Sequence, residues 1–157
     1  MRRHLATLLL VAVGLAGPQP APGAGLTVLV NKGPFPTVED AAQAEDKVDW
    51  WDADPTDDRA CTECFAACEL AHFLPGCTTL APKDLRLQSA AALPGSGDVI
   101  LLGSRLSNPL IAARGLRAAP LASEQSFRIQ AVAQAGRTIT VIEGQDRVGT
   151  LYGAYRY

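Results

Sequence analysis

Thr138-Ile-Thr-Val-Ile142, followed by Glu143-Gly-Gln-Asp146-Arg-Val-Gly-Thr-Leu-Tyr-Gly153-Ala-Tyr-Arg-Tyr157, is the stretch that decides the fold. The first five residues are β-branched and read as a strand. From Arg147 the apolar positions Val148, Leu151, Tyr152 and Tyr155 recur at helical spacing. Asp146 is placed to accept backbone N–H groups at the helix start. Gly144 and Gly149 suit backbone conformations closed to other residues, and Gly153 suits a close approach of helix to strand. No helix-stop signal follows Tyr157, so the helix is expected to be truncated and the chain to be the front of a longer protein.

Working outward from that unit, the spacing predicts a hairpin. Ser126 to Val132 alternates, with Phe127, Ile129 and Ala131 on one face, and Gly136 turns the chain into Thr138–Ile142. Val99-Ile-Leu-Leu102 is a continuous apolar run, expected as a central strand covered on both faces. Leu26-Thr-Val-Leu-Val30 predicts another strand, and residues 84–89 a strand or loop. Asn108-Pro109 is expected to cap a short helix reaching Arg114 and closed by Gly115.

Asp54 as N-cap and Pro55 at the first helical position open a long helix, with Asp57 in its first turn and Pro75-Gly76 expected to stop it after Leu74. Its buried face is read as Cys61, Cys64, Phe65, Cys68, Ala71 and His72, with Arg59 and Glu63 pointing away. The order strand, helix, strand, short helix, hairpin, helix predicts an α+β fold. It is a two-layer sandwich, with helices packed on one face of a small mixed sheet.

Residues 1–25 carry a leader. Met1-Arg-Arg-His4 is basic, Leu5 to Leu15 is apolar apart from Thr7 and Gly14, and a Gly/Pro/Ala stretch follows. The run is shorter than the about 20 apolar residues of a membrane span, so a signal peptide and an exported location are expected. The remaining segment, residues 26–157, makes one domain. A net charge of -2 without a basic segment argues against nucleic-acid binding.

Four cysteines in an exported chain raise the question of disulfides. Cys61, Cys64 and Cys68 fall on one helix face, about 5–6 Å apart at Cβ, too far for relaxed bridges, which need about 3.5–4.5 Å. One bridge at most is expected, Cys68 with Cys77. The same four residues match a zinc or iron–sulfur spacing only loosely, and core packing is the preferred reading. Asp52, Asp54, Thr56 and Glu63 occupy positions 1, 3, 5 and 12 of a calcium loop, but Pro55 intrudes and Asp57 stands where Gly is needed. No cofactor and no metal ligand is therefore assigned. Gly95-Ser-Gly97 precedes a strand rather than a helix and reads as a tight turn. Trp50-Trp51 is read first as a loop anchor and second as a sugar-stacking pair.

The strand at 138–142 with Gly144, Asp146, Arg147, Gly149, Leu151, Tyr152, Gly153 and Tyr155 resembles the N-terminal accessory domain of glycoside hydrolases of the beta-hexosaminidase and alpha-glucuronidase kind. Glu63 to Leu74, Val99–Gly103 and Phe127–Val132 follow that domain's first helix, central strand and hairpin arm in order. The resemblance implies that the catalytic acids lie on a (β/α)8 barrel after this domain. Glu63, Glu69, Glu124, Glu143, His4 and His72 accordingly make no catalytic set here. It implies as partners the barrel of the same full-length chain and the parent's polysaccharide or glycoconjugate substrate. A free-standing secreted binding module for carbohydrate or protein is the alternative, and a cysteine-based metal or redox protein a weaker one.

Overall fold

The computed structural model describes residues 25–89, 91–113 and 121–157. Five strands form one mixed sheet: β1 (Leu26–Leu29), β2 (Leu85–Gln88), β3 (Asp98–Gly103), β4 (Phe127–Gln134) and β5 (Arg137–Gly144), in the order β2-β1-β3-β5-β4. The first four in that order run parallel, and β4 is antiparallel to β5. Four helices accompany them: α1 (Val38–Ala42), α2 (Pro55–Cys77), α3 (Pro109–Ala113) and α4 (Arg147–Arg156). The fold is α+β, as the element order predicts.

The apolar run at 99–102 is buried throughout because the sheet is covered on both sides. Val28, Val30, Ile100, Leu102 and Ile142 face α1, α2 and α4. On the other face Leu29, Val99, Leu101, Ile139 and Val141 pack with Ile111 of α3. α1, α2 and α4 thus share one face, as expected, whereas the short α3 covers the centre of the other. A strand with apolar residues at consecutive positions requires cover on both faces.

α2 begins as its sequence predicts. Asp54 Oδ1 accepts from Thr56 N at 3.0 Å, which also lowers the Asp54 pKa, and Pro55 occupies the first turn. The helix runs three residues past the expected stop, with Pro75 inside its last turn. Its buried face is also rotated from the expected one. Ala60, Cys61, Glu63, Cys64, Ala67, Leu70 and Leu74 are buried, whereas Phe65 and His72 are exposed. The apolar cysteines and alanines are small enough to bring α2 close to the sheet, and the large Phe65 and Phe73 are left outside.

α4 is likewise rotated. Gly149, Thr150, Gly153 and Ala154 face inward, while Tyr152 and Tyr155 are exposed. Gly144 and Gly149 do not adopt left-handed backbone; among the described residues the positive-φ glycines are Gly33, Gly97, Gly103 and Gly136. Their role is close approach instead. A Cβ on Gly149 would collide with the Ser126 carbonyl, and one on Gly144 with Thr150 N. Gly153 meets its expectation, since a Cβ there would lie 2.7 Å from Ile142 Cγ2.

Asp146 is the N-cap of α4. Its Oδ1 accepts from Gly149 N at 2.7 Å, and its Oδ2 accepts from Gln125 N at 2.8 Å, tying the hairpin's entry to the helix start. Asp146→Ala removes both bonds, and urea denaturation should record a loss of about 1–2 kcal/mol. The closure of the α3 segment expected at Arg114 and Gly115, and the leader, lie outside the described residues. Among the described residues no helix is long and apolar enough to cross a membrane.

Candidate functional site

An open sheet with parallel strands binds ligands outside the carboxyl ends of those strands, where successive connections diverge. Here that point lies between β1 and β3, because β2 sits beyond β1 and β5 beyond β3. A cluster of polar side chains occupies it. Asn108, 3 % exposed, donates from Nδ2 to Leu102 O at 3.1 Å and to Leu29 O at 3.5 Å, bridging the ends of both strands. Its Oδ1 accepts from Leu110 N at 3.0 Å and so caps α3, as the Asn-Pro pair predicts. Asn31, just after β1, donates from Nδ2 to Ser107 O at 2.6 Å.

Glu63 is the central group of the cluster, and it is fully buried. The expectation that it points away from the core is therefore overturned. Its Oε1 accepts from Ser107 Oγ at 2.9 Å and from Thr150 Oγ1 at 3.4 Å, joining α2 to the β3–α3 turn and to α4. Its Oε2 has no hydrogen-bond partner. Burial pushes the Glu63 pKa up to about 7 against the weaker opposing effects of Ser107, Arg59, Thr150 and Ser104. The surroundings therefore favour the neutral acid.

Gly103 makes this packing possible. Its φ is +135°, and a Cβ there would sit 3.0 Å from Ser107 Oγ and 3.1 Å from Glu63 Oε2. The space that such a sheet offers a ligand is filled by the chain itself. Glu143, at the end of β5 and also buried, is held by Arg105 Nε at 2.6 Å and by Arg128 Nη1 at 3.5 Å. Buried carboxylates tied to neighbouring elements in this way hold those elements together.

The remaining sequence candidates are dispersed. Glu69 is half-buried on α2, Glu124 is exposed before β4, and His72 is exposed and stacks edge-on against Phe73. All four cysteines are free: Cys61 and Cys64 buried, Cys68 half-buried, Cys77 exposed. Desolvation raises the thiol pKa of Cys61, Cys64 and Cys68, which makes them poor thiolate donors. Cys64 Sγ instead donates to Asn31 O at 3.5 Å. Cys64 should alkylate with iodoacetamide only when denaturant unfolds the chain, as peptide mass mapping will report.

Asp52 and Asp54 spend their carboxylates on the backbone N–H groups of Asp54 and Thr56, and Glu63 faces the sheet. Among the described residues no group of three or more His, Cys, Asp or Glu is placed to hold a metal ion.

The two tryptophans divide. Trp50 is half-buried, packs with Ala44, Val48 and Cys61, and lies under the Arg147 guanidinium at 5.0 Å. Arg147 also pairs with the buried Asp58. Trp51 is 95 % exposed. The anchor reading thus holds for Trp50 and not for Trp51.

Comparison with protein-family models and with curated proteins gave no match.

Proposed function

We propose that residues 26–157 form the non-catalytic N-terminal domain of an exported carbohydrate-active hydrolase, supporting a following (β/α)8 barrel that hydrolyses glycosidic bonds. The carrying observation is the start of α4. Gly144, Asp146, Gly149 and Gly153, the residues on which the resemblance rests, each have a packing or capping role there that no chemistry requires. The inward-turned Glu63 cluster supports the same reading, since its acid groups bind elements of the fold together rather than face solvent. Glycosidic hydrolysis by two carboxylates belongs to the barrel in this account. The basic and apolar leader supports export.

The test is to follow the reading frame beyond Tyr157 and assay the complete protein on a panel of aryl glycosides. Roughly 250 further residues with β/α alternation, together with hydrolysis of one glycoside, are the expected result. A frame that closes at Tyr157, or a complete protein inert on the whole panel, overturns it.

The exposure of Trp51 favours a second reading, a secreted carbohydrate-binding module. Pull-down on insoluble polysaccharides should then fail for Trp51→Ala. Equal retention of the variant removes that role.

A further inference from the structure

At the amino-terminal ends of the strands, opposite the filled end, α2, α4 and the sheet leave a half-open cleft of about 1180 Å³. Leu26 lines it from the sheet and Leu151 from α4, both half-buried, with Phe73 and Tyr155 more than half exposed beside them. Contiguous apolar surface of this kind marks an interaction site. Glu69, Asp84 and Asp98 also line the cleft, whereas no Lys, Arg or His does among the described lining residues. Asp98 accepts from Thr138 N through Oδ1 and keeps its second oxygen, so it adds to the acidic lining made by Glu69 and Asp84.

Chemistry narrows the occupant. The cleft is wider than a typical small-molecule pocket of about 300–1,000 Å³ and is open along one side. Two helices wall it, the arrangement that receives a third helix through its apolar face. Its carboxylates repel the anionic surface of a membrane leaflet. A second copy docked through the same patch would bring its own Glu69 and Asp84 against these.

We propose that this cleft is the docking groove for an amphipathic helix whose polar flank carries Lys or Arg. Resting on the function proposed above, the barrel domain of the same chain supplies that helix. The assignment goes beyond the resemblance, because it names a surface and a charge pattern.

Cys77 gives a native reporter, since it lines the cleft and is the one exposed thiol of the four. In the complete protein, Cys77 should react with a bulky polyethylene glycol maleimide at least about tenfold more slowly than free cysteine, peptide mass identifying the site. The double variant Glu69→Arg/Asp84→Arg should restore fast labelling by repelling the basic flank, while Asp46→Arg, on a distant exposed loop, should not. Fast labelling of the unmodified protein overturns the groove, and so does charge reversal without effect. Glycosidase activity reads the other proposal separately. An active protein with fast Cys77 labelling sinks the groove alone. An inert protein with slow labelling that responds to charge reversal sinks the hydrolase reading alone. A frame that closes at Tyr157 overturns both.

Discussion

Raising the pH from about 5 to about 8 is expected to destabilise the chain by roughly 2–3 kcal/mol through Glu63 alone, and Glu63→Gln is expected to remove that loss. The folded-state pKa of Glu63, about 7, lies above its ordinary value of 4.5. The folded chain therefore holds the proton after the unfolded chain has released it. The stability tied to this group is full below the unfolded value and is lost as pH rises through the folded one. Above that the carboxylate sits among Ser107, Thr150 and Gly103 with Oε2 unpartnered. Gln keeps the size and the acceptor for Ser107 Oγ without carrying the charge.

The measurement is the urea midpoint of both proteins at several pH values. Their difference should grow across that window in favour of the variant. Parallel profiles would show that Glu63 ionises freely in the folded chain, contrary to its burial. Because other acids titrate near the lower limit, the comparison with the variant isolates Glu63, not the wild-type curve alone.

How much of this was legible in the sequence depends on which forces decide each feature. Strands β1, β3 and β5 are written in β-branched and apolar runs, and Asp54, Asn108 and Asp146 announce helix starts through local hydrogen bonds. Such signals need only neighbours in the chain. Which face of α2 turns inward is a different matter. Phe65 and Cys68 draw the expected face one way by their hydrophobicity, but the inward face of α2 is built mainly of small residues, Ala60, Cys61, Cys64, Ala66 and Ala67, with Glu63, Leu70 and Leu74 between them. The recurrence Ala60, Glu63, Cys64, Ala67, Leu70, Leu74 has helical spacing, but a glutamate interrupts its apolar pattern. Glu63 is tolerated there only because Ser107 and Thr150, distant in sequence, supply donors. Nothing local to Glu63 signals them.

The same competition between hydrophobicity and distance of approach governs α4, where tyrosines set the sequence pattern and glycines set the packing. Gly149→Ala should accordingly be among the most damaging single-methyl additions in the chain, costing about 3 kcal/mol or more. The new Cβ would be driven into the backbone carbonyl of Ser126, which cannot rotate aside as a side chain can. Relief requires the first turn of α4 to lift off the hairpin. That would also strain the Asp146 bonds to Gly149 N and Gln125 N. Helix propensity acts in the opposite direction, since Ala is favoured over Gly by about 1 kcal/mol in a helix interior. The comparison that separates the two effects is Gly76→Ala in the last turn of α2, where a Cβ meets nothing within 4 Å. That variant should be neutral or stabilised by up to about 1 kcal/mol, while Gly149→Ala loses most of its cooperative transition in urea. Equal stability of the two variants would mean that α4 is free to move away from Ser126. The close packing that defines this corner of the fold would then be incidental to its glycines.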